Sequence, residues 1–458
     1  MHRRSSMAMA ATFQKVCVLP PPTKGGASRA CAARAQGAVL QGQGNLKGQL
    51  EAQFQRTPSL SPMDRRFATQ LAFGGARVSL RLLPLVDGAL KHPLKDRDQD
   101  LRALMVGALY QMHWLGAAPP LCVNGAVEAT RALKKPWASK LVNAVLRKFP
   151  AEVLSATLAN QSPEDQSGLP RWWYDALAHT YPNQLAEVIA AGNSEPPLTL
   201  RVDGDREAVA AELESLGFGP RLGTLSAKAL YLNKAPPLQD IPGFLEGRLT
   251  VQDEGAQLTT ELLDLAPGLA VLDACAAPGG KASALLAACP GVELTALDPN
   301  PKRVERLLDT LKRTGSKGFT VHCADALEPG PWQREQGFDR ILVDAPCSGT
   351  GILRRQPDIR LLRQPGELAK LSTLQGALLR ALFPQLKAGG RLVYCTCSVL
   401  PEEGEAVVAK FVAETPEARA LSLPESFGRA AGPGRQGLPT RQGPDGFFYA
   451  VLERVPTP

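Results

Sequence analysis

Two cysteine-bearing turns in the last third of the chain hold the residue types best suited to covalent chemistry. One is Asp344-Ala345-Pro346-Cys347-Ser348-Gly349-Thr350-Gly351, and the other is Tyr394-Cys395-Thr396-Cys397-Ser398. Each follows a short apolar run, Ile341-Leu342-Val343 or Leu392-Val393, that reads as a buried strand. Open α/β sheets keep their active sites at the C-terminal ends of parallel strands. A thiol delivered there is a candidate nucleophile rather than core filler.

A third turn lies upstream, Asp273-Ala274-Cys275-Ala276-Ala277-Pro278-Gly279-Gly280-Lys281. A glycine-rich turn entering a helix offers backbone N–H groups to an anion. The spacing is neither GxGxxG nor a Walker A loop, so a pyrophosphate is not the natural ligand. A carboxylate fits, and S-adenosyl-L-methionine presents one. Asp298 ends the next predicted strand, about 20 residues on, where an acid can bind ribose hydroxyls. Asp325 follows the third strand and is placed to meet the adenine amino group. Any one of these acids alone reads as a loop or N-cap residue; the case rests on Asp298, Asp325 and Asp344 at three strand ends beside one glycine turn.

Two thiols beside a methyl donor suggest chemistry on a pyrimidine. C5 of a pyrimidine is a poor nucleophile until a thiolate adds to C6 and makes C5 an enamine carbon. Such a site needs one covalent nucleophile, a partner at N3 and the exocyclic amine, and a methyl group poised over C5. Asp344, three residues before Cys347, is placed to hold the pyrimidine edge.

The stretch Asp273–Lys281, the DAPCSGTG turn and Thr396-Cys397-Ser398-Val399-Leu400-Pro401-Glu402-Glu403 resemble the Sun/RsmB branch of the Nop/Sun RNA 5-methylcytosine methyltransferases. The resemblance covers nearly the whole chain. It includes Met105-Val106-Gly107-Ala108-Leu109-Tyr110-Gln111-Met112 and Asn143-Ala144-Val145-Leu146-Arg147, similar to the RNA-binding NusB fold, and the closing Asp445-Gly446-Phe447-Phe448-Tyr449. It implies Cys397 as nucleophile, Cys347 as an aid to product release, and small-subunit (16S) ribosomal RNA as substrate. It implies a cofactor site of Cys275, Ala276, Ala277, Pro278, Gly279, Gly280, Lys281, Asp298, Asp325 and Asp344. Two positions depart from the family pattern. Cys395 stands where Ser or Ala is usual, bringing a third thiol near the site on the opposite side of its strand from Thr396. Gly404 stands where Asn is usual, which would loosen the turn that aims Cys397. Cys289 and Cys323 read as buried small residues, and Cys275 as a backbone contributor whose side chain packs. Lys281 is expected near the cofactor, and Phe447, Phe448 and Tyr449 as packing residues.

The elements that must position these residues follow from pattern. The expected fold class is α/β, with a doubly wound, mainly parallel sheet at residues 251–458 that the resemblance identifies as a Rossmann-like class I methyltransferase domain. An all-helical domain at 25–150, NusB-like by the same resemblance, and a small α+β module at 165–250, to which the resemblance gives RNA positioning, precede it. Leu101, Leu104, Met105, Leu109 and Met112 make one helical stripe. Ser61-Pro62 is an N-cap signal for a helix through Phe67 and Leu71. Strands are expected at 198–202, 229–232, 269–272, 292–297, 319–322, 340–343 and 391–394. A helix carries Leu368, Leu371, Leu374, Leu378 and Leu382, with a turn at Gly389-Gly390 ending it. Lys134, Lys135, Lys140, Arg147 and Lys148 are either a solvated face or an RNA contact. Arg201 reads as a solvated strand residue, with RNA positioning as the alternative.

Composition narrows the class. At 458 residues the chain exceeds one core. Its net charge is +8, and residues 1–50 hold seven Lys/Arg and no acid. A basic N-terminal face suits a nucleic acid. Residues 1–24 read as a basic, disordered leader, with an organellar targeting peptide as the minority alternative. Nine cysteines without a disulfide framework suit a reducing cytoplasm, and no CxxC pair or histidine spacing suggests a metal site. No apolar run approaches membrane-spanning length. The oligomeric state is open, a monomer being the simplest expectation. Two rival functions remain: a DNA cytosine-C5 methyltransferase, which would use Cys347 as nucleophile, and a noncatalytic RNA-binding ribosome assembly factor.

Overall fold

The computed structural model describes residues 25–233 and 236–456. The leader expected at 1–24 lies outside the described residues. The described residues form two units, one of residues 25–195 and 353–364, the other of 196–233, 236–352 and 365–456.

The first unit is helical. Its main helices are α1 (Gly25–Leu40), α2 (Leu46–Arg56), α3 (Pro62–Ala89), α4 (Gln99–His113), α5 (Pro119–Ala132) and α6 (Ser139–Leu146). α3 begins as expected. Ser61 accepts from the Asp64 N–H, and the Asp64 carboxylate accepts from the Ser61 N–H, closing a capping box. The stripe Leu101, Leu104, Met105, Leu109 and Met112 on α4 is buried in one core with Leu71, Val78, Leu82 and Val142. Of the five clustered cations, Lys134, Lys140, Arg147 and Lys148 are exposed. Lys135 differs: its ammonium is engaged by Asp98 at 2.9 Å and Asp100 at 2.6 Å.

Residues 353–364, in sequence just after the Cys347 turn, belong to this helical unit, a connection that periodicity did not announce. Asp358 accepts from the Leu46 N–H at 2.8 Å, satisfying an orphan donor at the start of α2. Arg360 is buried and donates to Gly168 O at 3.1 Å, Asn193 Oδ1 at 2.9 Å and Arg77 O. Burial, with Arg77 beside it, pushes the Arg360 guanidinium down to about 9.

The second unit holds two sheets. The smaller has the order β2 (Pro220–Leu222), β3 (Ala229–Leu232), β1 (Leu198–Val202), β4 (Leu249–Val251), all antiparallel, with the helix Arg206–Ser215. The larger runs β11 (Arg429–Ala431), β12 (Gly434–Gly437), β13 (Phe447–Arg454), β9 (Leu386–Thr396), β8 (Phe338–Asp344), β5 (Ala270–Asp273), β6 (Glu293–Leu297), β7 (Phe319–His322), and β10 (Ala418–Leu421) pairs with β13. From β9 to β7 every pairing is parallel. Leu272, Ile341, Val343, Leu392 and Tyr394 bury on one face, and Val271, Leu342, Val393 and Cys395 on the other. Both faces are covered, as a parallel sheet requires. The Gly389-Gly390 expectation is corrected. The helix Pro365–Leu382 stops earlier, and the two glycines lie within β9, where Gly389 takes φ 73°.

Arg201 also differs from its solvated reading. It is 1% exposed on β1 and grips Asp203 with Nε at 2.9 Å and Nη2 at 2.8 Å. Nη1 donates to Gln252 Oε1 and Gly280 O, both at 2.7 Å, and Nη2 to Ser283 Oγ at 3.1 Å. The small sheet is thereby fastened to the helix that opens at Gly280. Removing one member of a buried pair strands the other. Arg201→Ala should therefore cost about 3–5 kcal/mol of stability in urea unfolding. A change within about 0.5 kcal/mol, typical of a surface site, would show that this anchor is dispensable.

Candidate active site

The glycine turn is set by close packing. β5 delivers Asp273, and the chain turns through a cis Ala277-Pro278 bond into Gly279 at φ 101°. A Cβ on Gly279 would stand 3.0 Å from Leu307 Cδ1 and from Thr310 Cβ, so glycine is required twice over. Arg303 Nη2 donates to Ala277 O at 2.8 Å and Thr310 Oγ1 to Pro278 O at 2.7 Å. The helix Gly280–Ala288 then starts without a side-chain cap. Its first N–H groups lack intrahelical partners and are available to an anion.

Asp273 is fully buried, and neither carboxylate oxygen has a hydrogen-bond partner among the described residues. Burial, reinforced by Asp344, pushes its carboxyl up to about 7; Lys281 and the nearby Cys275 N–H pull the other way. An orphaned buried acid beside an uncapped helix start fits a ligand carrying both an ammonium and a carboxylate, as the methionine end of S-adenosylmethionine does. Asp298, 1% exposed at the end of β6, accepts from the Asn300 N–H at 3.0 Å and pairs with Arg303 at 3.1 Å. Asp325 is exposed beyond β7, its carboxylate accepting from the Leu327 N–H at 2.9 Å. The parallel register sets Leu297 against His322, so Asp298 and Asp325 follow adjacent strand ends.

The thiols meet across the next pair of strands. The β8–β9 register places Asp344 against Cys395, so the two cysteine turns leave the sheet side by side. Cys347 Sγ and Cys397 Sγ are 3.3 Å apart. Lys281 Nζ sits 2.7 Å from Asp344 Oδ2, and Cys395 Sγ donates to Asp344 Oδ1 at 3.4 Å. Lys281, Asp344, Cys347 and Cys397 thus form one cluster. The Cys347 hydrogen bond and burial hold the Cys397 thiol well above the usual range, against the pull of Lys281. Burial and Asp344 do the same for Cys395. Burial acts to lower the Lys281 pKa, but Asp344 and the neighbouring thiols raise it on balance. The resting site therefore holds an ammonium–carboxylate pair beside protonated Cys397 and Cys395.

Other positions are as their packing dictates. Phe447, Phe448 and Tyr449 are buried, with Lys281 Nζ 5.6 Å above the Phe447 ring. Cys289 is buried and Cys275 half-buried, whereas Cys323 is exposed, correcting its reading as a core residue. A Cβ on Gly404 would lie 2.6 Å from Phe448 Cγ, so the glycine fits a tight ring contact rather than loosening the turn. Sequence reasoning gave no role to Gln375 or Arg303, and none to Asp273 beyond its place in the turn. Only the three-dimensional register reveals them.

Comparison with known proteins is consistent with this geometry. A family model described as 16S rRNA methyltransferase RsmB/F matches residues 260–453, a NusB family model residues 27–150, and a RsmF/B-like ferredoxin-like domain model residues 169–239. Ribosomal RNA small subunit methyltransferase B of Pseudomonas putida is 41% identical over 433 residues, covering 93% of this chain and 98% of that protein. The chain belongs to the ribosomal RNA small subunit methyltransferase B family. The Pseudomonas syringae member is 40% identical, covering 93% of this chain and 97% of its own. The solved structure of PH0851 shares the fold at TM-score 0.80 and 22% identity, covering 96% of this chain and all of that one. As a member of the RsmB/F family this chain is a methyltransferase, and its methyl donor is S-adenosyl-L-methionine.

Two pH effects follow. With a folded pKa near 7 against about 4 unfolded, Asp273 keeps its proton in the native chain where the unfolded chain has lost it. Its contribution is full below about pH 4 and is lost as pH rises through about 7. Cofactor-free wild type should therefore lose on the order of a few kcal/mol across that window relative to Asp273→Asn, as urea midpoints at several pH values would show. Parallel profiles would contradict the assignment. Separately, Cys347→Ala removes the largest cause of the Cys397 shift. The pH profile of Cys397 alkylation, followed by peptide mass spectrometry, should move to lower pH; an unmoved profile would deny the thiol contact.

Proposed function

We propose that the protein transfers a methyl group from S-adenosylmethionine to C5 of a cytidine in small-subunit ribosomal RNA, through a covalent bond between Cys397 and C6. The reading rests chiefly on the 3.3 Å pair Cys347–Cys397 beside the Lys281–Asp344 ion pair, at the strand end next to the glycine turn. The names of the relatives supply the class of RNA.

The cofactor presents an electrophilic methyl group on a sulfonium centre. The Gly280 and Lys281 amides would take its carboxylate, Cys275 to Gly279 would wall the turn, the Gly279 N–H being held by Ala276 O at 2.8 Å, Asp298 would take the ribose hydroxyls, and Asp325 the adenine amino group. Asp344, held by Lys281, accepts from the exocyclic amine of the cytosine and, when protonated, donates to N3. A base takes the Cys397 proton and the sulfur adds to C6, so electron density moves to C5. The adduct makes C5 the nucleophile for the methyl group that the bound cofactor would supply, the cofactor leaving as its neutral thioether. A base removes the C5 proton, the S–C6 bond breaks by elimination, and Cys347, in contact with the departing sulfur, assists release. The target base must be unpaired or extruded to reach the half-buried thiols. The NusB-like residues, with exposed Lys134, Lys140 and Arg147, grip phosphates, and the small sheet module positions the RNA. Eight free cysteines among the described residues fit a reducing cytoplasmic setting. Among those residues no helix is long and apolar enough to cross a membrane.

Unmodified small-subunit rRNA, labelled S-adenosylmethionine and nucleoside digestion test the proposal. Wild type should yield 5-methylcytidine, Cys397→Ala at least about 10³-fold less, and Cys347→Ala a protein–RNA adduct that persists in denaturant. A product other than 5-methylcytidine, or full activity in Cys397→Ala, would overturn it.

A further inference from the structure

We infer that Glu403 is the positioning residue that sets the distance between the two reactive thiols. The assignment deepens the two-thiol reading and rests on it. Glu403 is fully buried, yet both its oxygens are occupied by the two cysteine turns. Oε1 accepts from the Ser348 N–H at 2.7 Å. Oε2 accepts from the Ser398 hydroxyl at 2.7 Å and from the Ser348 hydroxyl. Ser348 directly follows Cys347, and Ser398 directly follows Cys397. The residues next to the two thiols thus converge on one carboxylate oxygen.

The surrounding bonds stiffen this joint. Gln375 Nε2 donates to Glu403 Oε1 at 3.4 Å and to Pro346 O at 2.9 Å, tying the helix Pro365–Leu382 to the Cys347 turn. Thr350 Oγ1 lies 2.9 Å from Ser398 Oγ and accepts from the Val399 N–H at 3.0 Å. The Gly351 N–H donates to Cys397 O at 2.9 Å. Glu403 is itself fixed from behind, because the Tyr394 hydroxyl donates to its backbone carbonyl at 2.8 Å. Hydrogen bonds to a buried carboxylate are strong and directional. Reaction rates fall steeply with displacements of about 1 Å. Glu403 touches neither thiol and acts through the two serines.

Glu403→Gln keeps the shape but turns one acceptor oxygen into a donor, so the two serine hydroxyls and the Ser348 N–H can no longer all donate to it. Ser398→Ala cuts one branch and leaves the carboxylate. Two readouts are compared with wild type. The first is the rate at which diamide closes Cys347 and Cys397 into a disulfide: the thiols lose two protons and two electrons, and diamide is reduced to the hydrazine. The second is kcat and KM for rRNA methylation, with the cofactor Kd as control. We expect disulfide closure and kcat both to fall about 10-fold or more in each variant, with KM and cofactor Kd within about 3-fold. Closure and kcat within about 2-fold of wild type would overturn the assignment, and so would a kcat loss with unchanged closure. Should Glu403→Gln fail to fold, Ser398→Ala decides alone. An absence of methylation by wild type would defeat the proposed function, while the disulfide rates would still judge Glu403.

Discussion

The parallel pairing of β8 with β9 is the constraint on which the site depends. Its register sets Asp344 opposite Cys395, and from that pair onward both strands end and both cysteine turns begin. A slip by one residue would turn every side chain of one strand to the other face. The buried alternation of Ile341, Leu342 and Val343 against Leu392, Val393 and Tyr394 forbids such a slip. Hydrophobic packing on both faces of the sheet thus fixes where two thiols fifty positions apart in sequence meet.

Around that point the electrostatics favour a closed, quiet resting state. Lys281 reaches across from the helix Gly280–Ala288 to Asp344, so the glycine turn and the end of β8 share one ion pair. The Cys347 hydrogen bond and burial keep the Cys397 thiol protonated at rest. Asp273, buried without a partner, is the complementary case. An orphan of this kind calls for a partner, and a bound ligand's ammonium is one that would satisfy it. Arg201 supports both from behind by binding the carbonyl of Gly280, the first residue of the cofactor helix.

Much of this was legible in the sequence. Apolar runs before Asp273, Asp298, Asp344 and Cys395 gave the central strands, and turn chemistry gave the candidate site, because local composition decides both. The Ser61-Pro62 start of α3 was readable for the same reason. What pattern could not show was long-range. Arg201 and Lys135 look like surface cations until the carboxylates that hold them are seen. Gly389-Gly390 resembles a helix stop, but within β9 it is an irregularity that a Gly at positive φ permits. Cys323 looked like core filler and is exposed, since a β7 at the sheet edge buries little beyond its end. The assignment of residues 353–364 to the helical unit depends on Asp358 and Arg360 finding backbone groups far away in sequence, which no local signal encodes.

The most direct test of the two-thiol account is to map the bond itself. RNA substituted with 5-fluorocytidine should arrest the reaction after methyl transfer, because C5 then carries fluorine and methyl and has no proton to lose. Digestion of the trapped wild-type complex and mass spectrometry of the nucleotide-bearing peptide would locate the attachment. The account predicts a methylated 5-fluorocytidine on the sulfur of Cys397. Attachment at Cys347 or Cys395, or no covalent complex on RNA that the enzyme otherwise methylates, would contradict it.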